Sequence, residues 1–198
     1  MIKQLTHFEK QESLNVLNYK IRTCKKCNLS VTRKHALIGE GNIEASILFV
    51  ALSPGNKEDE GNRLFIGPSG QVFNKLLQKA GIERESVFIT NLVKCILPKN
   101  RKPTSDEIEI CSSFLNEEIS IIKPQIIVPL GYYATQSILS KYHANLSSVE
   151  MSFKNVNGKL LMLEGMRIFP ITHPSALLYN SSFESETIDK YKKLKSLL

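Results

Sequence analysis

Short apolar runs alternate with amphipathic segments along most of this sequence, and this alternation constrains the fold more than any other feature. Residues 45–52 form a short apolar run that is typical of a strand buried on both faces. Residues 69–80 then carry apolar side chains at helical spacing, and Gly81 predicts the end of that helix. The remaining predicted strands are residues 87–90, 125–130, 160–163 and 167–171, and the remaining predicted helices are residues 104–119, 131–139 and 185–198.

Strands that alternate with helices predict a parallel sheet that is covered by helices on both faces. The chain has 198 residues, which suits a single domain over residues 1–198. Hydrophobic residues make up 42% of the chain and charged residues 23%, a composition that excludes a disordered polyampholyte. A polar stretch at residues 140–157 predicts a loop. Ligand crevices in such sheets lie at the carboxyl ends of the strands, so functional side chains are expected there.

The composition also restricts the partners and the cellular compartment. No apolar run reaches the length of about 20 residues that a membrane-spanning helix needs, and residues 1–7 lack the apolar core of a secretory signal. These features predict a cytoplasmic protein with no membrane partner. The net charge of +7 favours a polyanion such as nucleic acid, although residues 190–195 carry much of that charge and also suit a solvated helix face.

Five side chains near the predicted strand ends have chemistry that suits a binding or catalytic site. Ser53 and Glu58 flank a tight Pro-Gly turn, after which a carboxylate can orient a water molecule. Phe65 lies in a glycine-rich loop, where an aromatic ring is a candidate stacking surface for a flat ligand. Asn91 offers a donor and an acceptor that suit the edge of a base. His173 is a candidate acid or electrophile.

Each of these side chains also has a plainer interpretation. The carboxylates suit an acidic surface loop, an asparagine often satisfies a turn, and an isolated histidine is more often structural. Because these side chains lie near the ends of several predicted strands, coincidence is the weaker explanation, and the sequence favours one shared site.

The four cysteines need an explanation of their own, because disulfides are rare in the cytosol. Cys24 and Cys27 form a Cys-x-x-Cys pair, Cys95 follows a predicted strand, and Cys111 lies in a predicted helix. Four thiolates suit either zinc or an iron–sulfur cluster, and their spacing does not decide between the two. The alternative is a redox pair with two buried structural thiols, which the two lysines between Cys24 and Cys27 disfavour.

Several motifs follow one another in a characteristic order, namely Cys24-x-x-Cys27, Ser53-Pro54-Gly55, Phe65-Ile66-Gly67-Pro68-Ser69-Gly70, Thr90-Asn91-x-x-Lys94-Cys95 and His173-Pro174-Ser175-Ala176-Leu177-Leu178. Together they resemble the family 4 uracil-DNA glycosylases, the iron–sulfur branch of the uracil-DNA glycosylase superfamily. The resemblance covers roughly residues 20–195. The motifs around Asn91 and His173 are specific in combination.

The resemblance implies a three-layer α/β/α sandwich around a short parallel sheet. It implies a DNA repair enzyme that hydrolyses the N-glycosidic bond of uracil in DNA, giving free uracil and an abasic site. We expect it to act on uracil-containing DNA as a monomer. The resemblance also implies a [4Fe-4S] cluster that ties down the N-terminal segment, with the ligands Cys24, Cys27, Cys95 and Cys111.

The resemblance further implies roles for individual side chains. Phe65 stacks on uracil and Asn91 reads the edge of the base. His173 faces uracil O2 and is catalytic together with Ser53 and Glu58. Ala51 and Leu52 complete the substrate-binding set. The implied DNA-binding residues are Ser69, Lys99, Arg101, Lys102, Ser175 and Leu177, of which the last two belong to a loop that presses into the DNA groove.

The loop after the first strand departs from the family pattern, which is Gly-Glu-Ala-Pro-Gly or Gly-Glu-Gly-Pro-Gly. Here Leu52 replaces the acidic side chain and Ser53 replaces the small one. Two outcomes follow: either Ser53 and Glu58 hold the attacking water, or the chain is a weak or inactive binder of uracil-containing or deaminated DNA. A glycosylase for another deaminated base is the third alternative.

Overall fold

The computed structural model of this chain describes residues 5–142 and 152–198. None of the helices within these ranges is both long and apolar enough to cross a membrane. The strands are β1 (Glu40–Gly41), β2 (Ile47–Ala51), β3 (Phe88–Asn91), β4 (Ile126–Pro129), β5 (Leu161–Leu163) and β6 (Met166–Ile168). The helices are α1 (His7–Arg22), α2 (Leu29–Thr32), α3 (Asn56–Gly61), α4 (Pro68–Lys79), α5 (Ser105–Ile122), α6 (Tyr132–Tyr142), α7 (Phe153–Val156), α8 (Ala176–Tyr179) and α9 (Glu184–Ser196).

The strands form one sheet in the order β1-β3-β2-β4-β6-β5. The four central strands β3, β2, β4 and β6 are parallel, which confirms the predicted parallel sheet at its centre. The two edges differ, because β1 pairs antiparallel with β3 and β5 pairs antiparallel with β6. The sheet is therefore mixed.

The antiparallel edge at β5 and β6 has a local cause. Only Glu164 and Gly165 separate the two strands, and both have left-handed backbone conformations, with φ of +47° and +78°. Two such residues in succession form the tight turn of a β-hairpin, whose strands are necessarily antiparallel. The turn at Glu164 and Gly165 therefore connects β5 and β6 as a β-hairpin.

Alternate residues of β2 pack into two separate cores. Leu48 and Val50 pack with α1, α5 and α6, whereas Ile47 and Phe49 pack with α4 and α9. Because neighbouring strand residues point to opposite faces, these two cores lie on the two sides of the sheet. This arrangement confirms the expected three-layer sandwich.

The N-terminal helix α1 is absent from the sequence-based prediction, although the sequence contains its signals. Thr6 caps the helix by accepting a hydrogen bond from the Glu9 backbone N–H, and the Glu9 carboxylate accepts one from the Thr6 backbone N–H. Leu14, Leu17 and Ile21 are spaced along one helix face and are buried. The face that they form packs against α5. The chain then continues from the end of α1 into the first cysteine pair.

Two other helix predictions can be compared with the structure. The predicted capping box is present, since Thr104 Oγ1 accepts a hydrogen bond from the Glu107 backbone N–H and the Glu107 carboxylate accepts one from Thr104. The helix predicted at residues 131–139 extends to Tyr142, and α7 lies within the stretch predicted as a loop at residues 140–157. The intervening residues 143–151 of that stretch lie outside the described part of the chain.

A buried ion pair connects the end of β3 to α5. Lys94 Nζ lies 2.7 Å from Glu118 Oε2, and the side chains are 2% and 0% exposed. Thr90 lies between them, because its hydroxyl lies 2.7 Å from the Lys94 ammonium and 2.9 Å from the Glu118 carboxylate. Removing two charges from water costs free energy, and here the attraction between the two charges offsets that cost.

Neutralising one partner of this pair should destabilise the fold strongly. We expect Glu118→Gln to lower the free energy of unfolding by about 3 kcal/mol, since it leaves the Lys94 charge buried without a counter-charge. The neighbouring Glu117 pairs with Lys20 at 3.2 Å on the exposed surface, so Glu117→Gln should cost less than about 1 kcal/mol. Urea unfolding of both variants measures the difference. Equal losses would contradict the structural importance of the buried pair.

Candidate active site

Most of the residues predicted for substrate binding and catalysis converge on one cavity. It lies at the carboxyl edge of the parallel strands. The structure therefore brings together side chains that are up to 122 positions apart in the chain, from Ala51 to His173. The residues that line the cavity are Ala51, Ser53, Pro54, Gly55, Glu58, Leu64, Phe65, Ser69, Asn91 and His173.

Phe65 reaches the cavity through an unusual backbone conformation. It has a left-handed φ of +53°, which non-glycine residues rarely adopt. A Cβ at Gly70 would lie 1.9 Å from the Phe65 carbonyl oxygen, so only glycine allows this close approach. The ring packs on Phe73 with centroids 4.5 Å apart, and its centroid lies 6.2 Å from that of His173. The glycine-rich loop therefore fixes an aromatic wall of the cavity.

Asn91 ends β3 directly beside the end of β2. It pairs in register with Ala51, and the Ala51 carbonyl accepts a hydrogen bond from the next backbone N–H, that of Leu92, at 2.8 Å. The Asn91 side chain is buried and lines the cavity. Within the described part of the chain, no protein group hydrogen-bonds its amide. A buried amide without a protein partner is available to a ligand that presents a polar edge.

His173 arrives at the cavity because the chain continues alongside β4 beyond β6. The Ile171 backbone N–H donates to the Pro129 carbonyl at 3.0 Å. Gly131 has a left-handed φ of +82°, and a Cβ there would lie 3.1 Å from the His173 Cβ. Gly131 thus permits the close approach of the two strand ends and fixes the position of His173.

The protonation state of His173 follows from its contacts. The Ser175 backbone N–H donates to Nδ1 at 3.2 Å, and Ser175 Oγ lies 2.8 Å from the same nitrogen. A backbone N–H can only donate, so Nδ1 accepts and the proton of the neutral ring is on Nε2. Burial lowers the pKa of His173 to about 4. The ring is therefore a neutral hydrogen-bond donor at neutral pH.

Glu58 lies in a helix and not in the acidic surface loop that was its plainer interpretation. The segment after Gly55 forms α3, and the buried Glu58 carboxylate accepts a hydrogen bond from the Gly67 backbone N–H at 2.7 Å. A Cβ at Gly55 or at Gly67 would lie 2.7 Å or 3.0 Å from carboxylate oxygens of Glu58. Both glycines therefore make room for a carboxylate at the cavity wall.

Two residues that the sequence-based interpretation did not assign support this wall. Asp59 accepts hydrogen bonds from the backbone N–H groups of Lys34 and His35 at 3.0 Å. Arg33, the preceding residue, donates to Cys95 Sγ at 2.9 Å and to the Cys24 carbonyl. Three consecutive residues thus link the helix that carries Glu58 to the cysteines. The only signals in the sequence for these two roles are that Arg33 is a charged residue near the first cysteine pair and that Asp59 is an acidic residue beside Glu58.

The cavity opens into a second depression, which we call the groove. The groove shares Ser53, Pro54, Gly55, Ser69 and His173 with the cavity and is also lined by Leu52, Leu97, Asn100, Arg101, Leu130, Gly131, Tyr132, Tyr133 and Ser175. Leu52 therefore faces the groove, although it was predicted to bind substrate with Ala51. It also packs against the core that contains the cysteines.

The predicted DNA-binding residues differ in how available they are. Lys99 and Lys102 are exposed, whereas Arg101 donates two hydrogen bonds to the Glu107 carboxylate at 2.8 Å and 2.5 Å. Leu177 is half-buried and packs against the core beside α4 and α9. The structure thus leaves the two lysines free for phosphate contacts, holds the 40% exposed side chain of Arg101 on Glu107, and packs part of Leu177 against the core.

The four cysteines lie in one region but do not form a ready-made ligand set. Cys24 and Cys27 are half-buried in the turn between α1 and α2, and they pack against the core that contains Cys95 and Cys111. Burial raises the pKa of the Cys111 thiol, and negative charge on Cys27 or Cys24 would raise it further. Burial raises the pKa of the Cys95 thiol to about 11, and Arg33 opposes this shift. Over residues 5–142 and 152–198, no group of three or more Cys, His, Asp or Glu residues could hold a metal ion as placed.

The fold and the cavity define a class of protein first, an α/β protein with a cavity of aromatic and polar side chains at the carboxyl edge of its parallel strands. Comparison with known proteins then gives the family. Residues 38–195 match the family described as the uracil DNA glycosylase superfamily.

Curated relatives narrow this family further. The type-4 uracil-DNA glycosylase of Sulfurisphaera tokodaii is 39% identical over 191 residues, which cover 94% of this chain and 85% of the relative. The type-4 enzyme of Thermotoga maritima is 34% identical over 193 residues, covering 96% and 97%. A type-5 enzyme of Pyrobaculum aerophilum is 31% identical over 159 residues, covering 71% and 66%. The chain belongs to the uracil DNA glycosylase superfamily and, within it, to the type-4 uracil-DNA glycosylases.

The neutral state of His173 can be measured directly. Because burial lowers its folded-state pKa from the ordinary 6.5 to about 4, the ring should titrate near pH 4 in ¹³C-edited NMR, with His173→Gln assigning the signal. The unfolded chain takes up this proton at higher pH than the folded chain does. Stability should therefore be lost as the pH falls from about 6.5 to about 4. Titration near 6.5 would contradict the proposed neutral ring.

Proposed function

We propose that this chain hydrolyses the N-glycosidic bond of uracil in DNA and releases free uracil and an abasic site. The observation that carries the proposal is the convergence of Ser53, Glu58, Phe65, Asn91 and His173 on one cavity. A uracil inside a duplex cannot reach such a cavity, so the nucleotide must leave the base stack at a cost of a few kcal/mol.

Phe65 and Asn91 account for recognition of the base. The Phe65 ring forms one wall, which suits stacking on the face of uracil. The Asn91 amide can donate to uracil O4 and accept from uracil N3–H, because it presents a donor and an acceptor side by side. The fixed backbone at both residues supports a preformed recognition site.

His173 accounts for stabilisation of the leaving group. Cleavage of the glycosidic bond leaves negative charge on uracil, and a neutral Nε2–H can donate a hydrogen bond to O2 as that charge develops. The contacts of Ser175 with Nδ1 hold this tautomer. Ser175 therefore acts as a positioning residue for His173, in addition to its predicted place in the DNA-facing loop.

Ser53 and Glu58 are the side chains that can hold the attacking water. Both line the cavity, whereas Leu52 lines the groove. An acidic side chain at position 52 is therefore not needed for a carboxylate to reach the cavity, because α3 supplies Glu58. This geometry favours a working enzyme over an inactive binder.

Contact with DNA is assigned to exposed groups around the groove. Lys99 and Lys102 can neutralise phosphates, and Ser69 and Ser175 lie where the cavity meets the groove. Arg101 can contribute through the edge of its guanidinium that Glu107 does not occupy. We extend the proposal to a cytoplasmic monomer that acts on uracil-containing DNA.

The four cysteines are proposed to hold a [4Fe-4S] cluster. They are the only cysteines of the chain, they pack in one region, and four thiolates are the usual ligand set of such a cluster. Cys24 and Cys27 lie in a turn that can close towards Cys95 and Cys111 when the group binds. The cluster supplies a structural link there, and every catalytic role remains with the cavity side chains.

Uracil release from defined oligonucleotides tests the function. The purified holoprotein should release free uracil over many turnovers, and Asn91→Ala or His173→Ala should lower the rate by about 100-fold. Asn15→Ala and His7→Ala, which lie on α1 away from the cavity, are the matched controls. DNA binding without release would support the inactive binder, and faster release of hypoxanthine or xanthine would support the other-base alternative.

Metal analysis tests the cluster. Anaerobically purified protein should contain about four iron atoms per chain with an equal amount of acid-labile sulfide. Cys24→Ala should lower the iron content and the stability while leaving base selection unchanged. One equivalent of zinc without iron would contradict the cluster.

A further inference from the structure

The groove contains an aromatic side chain that the proposed mechanism does not use. Tyr132 opens α6 directly after the end of β4, and its side chain is 56% exposed. Its ring lies against that of Tyr133, with centroids 5.3 Å apart and an interplanar angle of 86°. This edge-to-face contact is a favourable arrangement for an aromatic pair.

The position of Tyr132 relative to the cavity is fixed by the backbone. Gly131, the preceding residue, donates from its N–H to the Ile171 carbonyl at 2.8 Å. A Cβ at Gly131 would lie only 3.1 Å from the His173 Cβ, so Tyr132 directly follows a residue that lies against the catalytic histidine. An exposed aromatic ring therefore lies in the groove into which the cavity opens.

We infer that Tyr132 is the stacking site for the base next to the uracil in single-stranded DNA. This inference rests on the proposed function, since it assumes that the cavity holds a uracil of a DNA chain. The neighbouring nucleotide is covalently attached to that uracil nucleotide, so it must lie close to the cavity mouth. The groove shares five lining residues with the cavity and therefore adjoins it.

The chemistry of the groove favours a nucleobase as the occupant. Removing the uracil from the base stack exposes a face of the neighbouring base, and aromatic side chains stack on such faces without regard to sequence. The groove is also lined by Asn100 and Arg101, whose polar groups suit the sugar and phosphate. In a duplex, the neighbouring base stays in its own pair, so the contribution of Tyr132 should be greatest in single-stranded DNA.

The test compares Tyr132→Ala with Tyr132→Phe on short single-stranded oligonucleotides that contain one uracil. Tyr132→Ala should raise the KM for uracil release about tenfold, equivalent to about 1.4 kcal/mol. Tyr132→Phe keeps the ring and should stay within about twofold of the parent. Tyr19→Ala, which removes an exposed tyrosine on α1 far from the groove, is the matched control for loss of surface aromatic area.

Abasic neighbours make the test specific for stacking. Two further substrates lack the base of the nucleotide on the 5′ side or on the 3′ side of the uracil. For only one of these two substrates should the KM of the parent protein rise about tenfold. On that substrate, Tyr132→Ala and the parent should become equal. An unchanged KM in Tyr132→Ala, or a loss that persists with both neighbours abasic, would overturn the stacking site.

The same measurements distinguish a failure of the stacking site from a failure of the proposed function. If the parent releases uracil and Tyr132→Ala behaves like the parent, only the stacking site fails. If the parent releases no uracil from any of these oligonucleotides, the proposed function itself fails. Circular dichroism and thermal unfolding of Tyr132→Ala confirm that its fold is intact before the kinetics are compared.

Discussion

The buried ion pair between Lys94 and Glu118 is the interaction on which the arrangement of the functional residues depends. It joins the end of β3 to α5 without access to water, and the hydroxyl of Thr90 completes it. Asn91 precedes Lys94 by three residues and Cys95 follows it directly. The same charged contact therefore sets the positions of the base-reading amide and of a proposed cluster ligand, and it relates the cavity to the cysteine region.

Close approaches that only glycine permits build the rest of the cavity. Gly70 lets α4 touch the Phe65 backbone, and Gly131 lets the end of β4 touch His173. Gly55 and Gly67 leave space for the Glu58 carboxylate. Each functional side chain thus sits on an element whose backbone is fixed before any ligand arrives, which is the property that electrostatic stabilisation of a leaving group requires.

Much of this arrangement could be predicted from the sequence, because hydrophobic periodicity and the position of polar residues after apolar runs are local signals. The parallel centre of the sheet and the convergence of Ser53, Phe65, Asn91 and His173 follow from them. The antiparallel edge at β5 was missed because a two-residue turn determines strand direction independently of the alternation pattern. Helix α1 was missed although Thr6 and Glu9 form a capping box.

Other features depend on hydrogen bonds and packing contacts that hydrophobic periodicity does not predict. The accepting role of Nδ1 in His173 comes from the backbone of Ser175, and the bidentate contact with Glu107 orients the guanidinium of Arg101. The half-buried position of Leu177 has the same origin. The placement of the cysteines also follows from tertiary packing, with Arg33 donating to Cys95.

The most direct measurement is a crystal structure of the unaltered protein with a single-stranded oligonucleotide that carries a non-hydrolysable 2′-fluoro-2′-deoxyuridine. The account predicts that the uracil ring lies in the cavity against Phe65, with its O4 and N3 edge on the Asn91 amide and its O2 facing His173 Nε2. A uracil bound elsewhere on the protein, or a cavity that stays empty of the base while the DNA is bound, would contradict it.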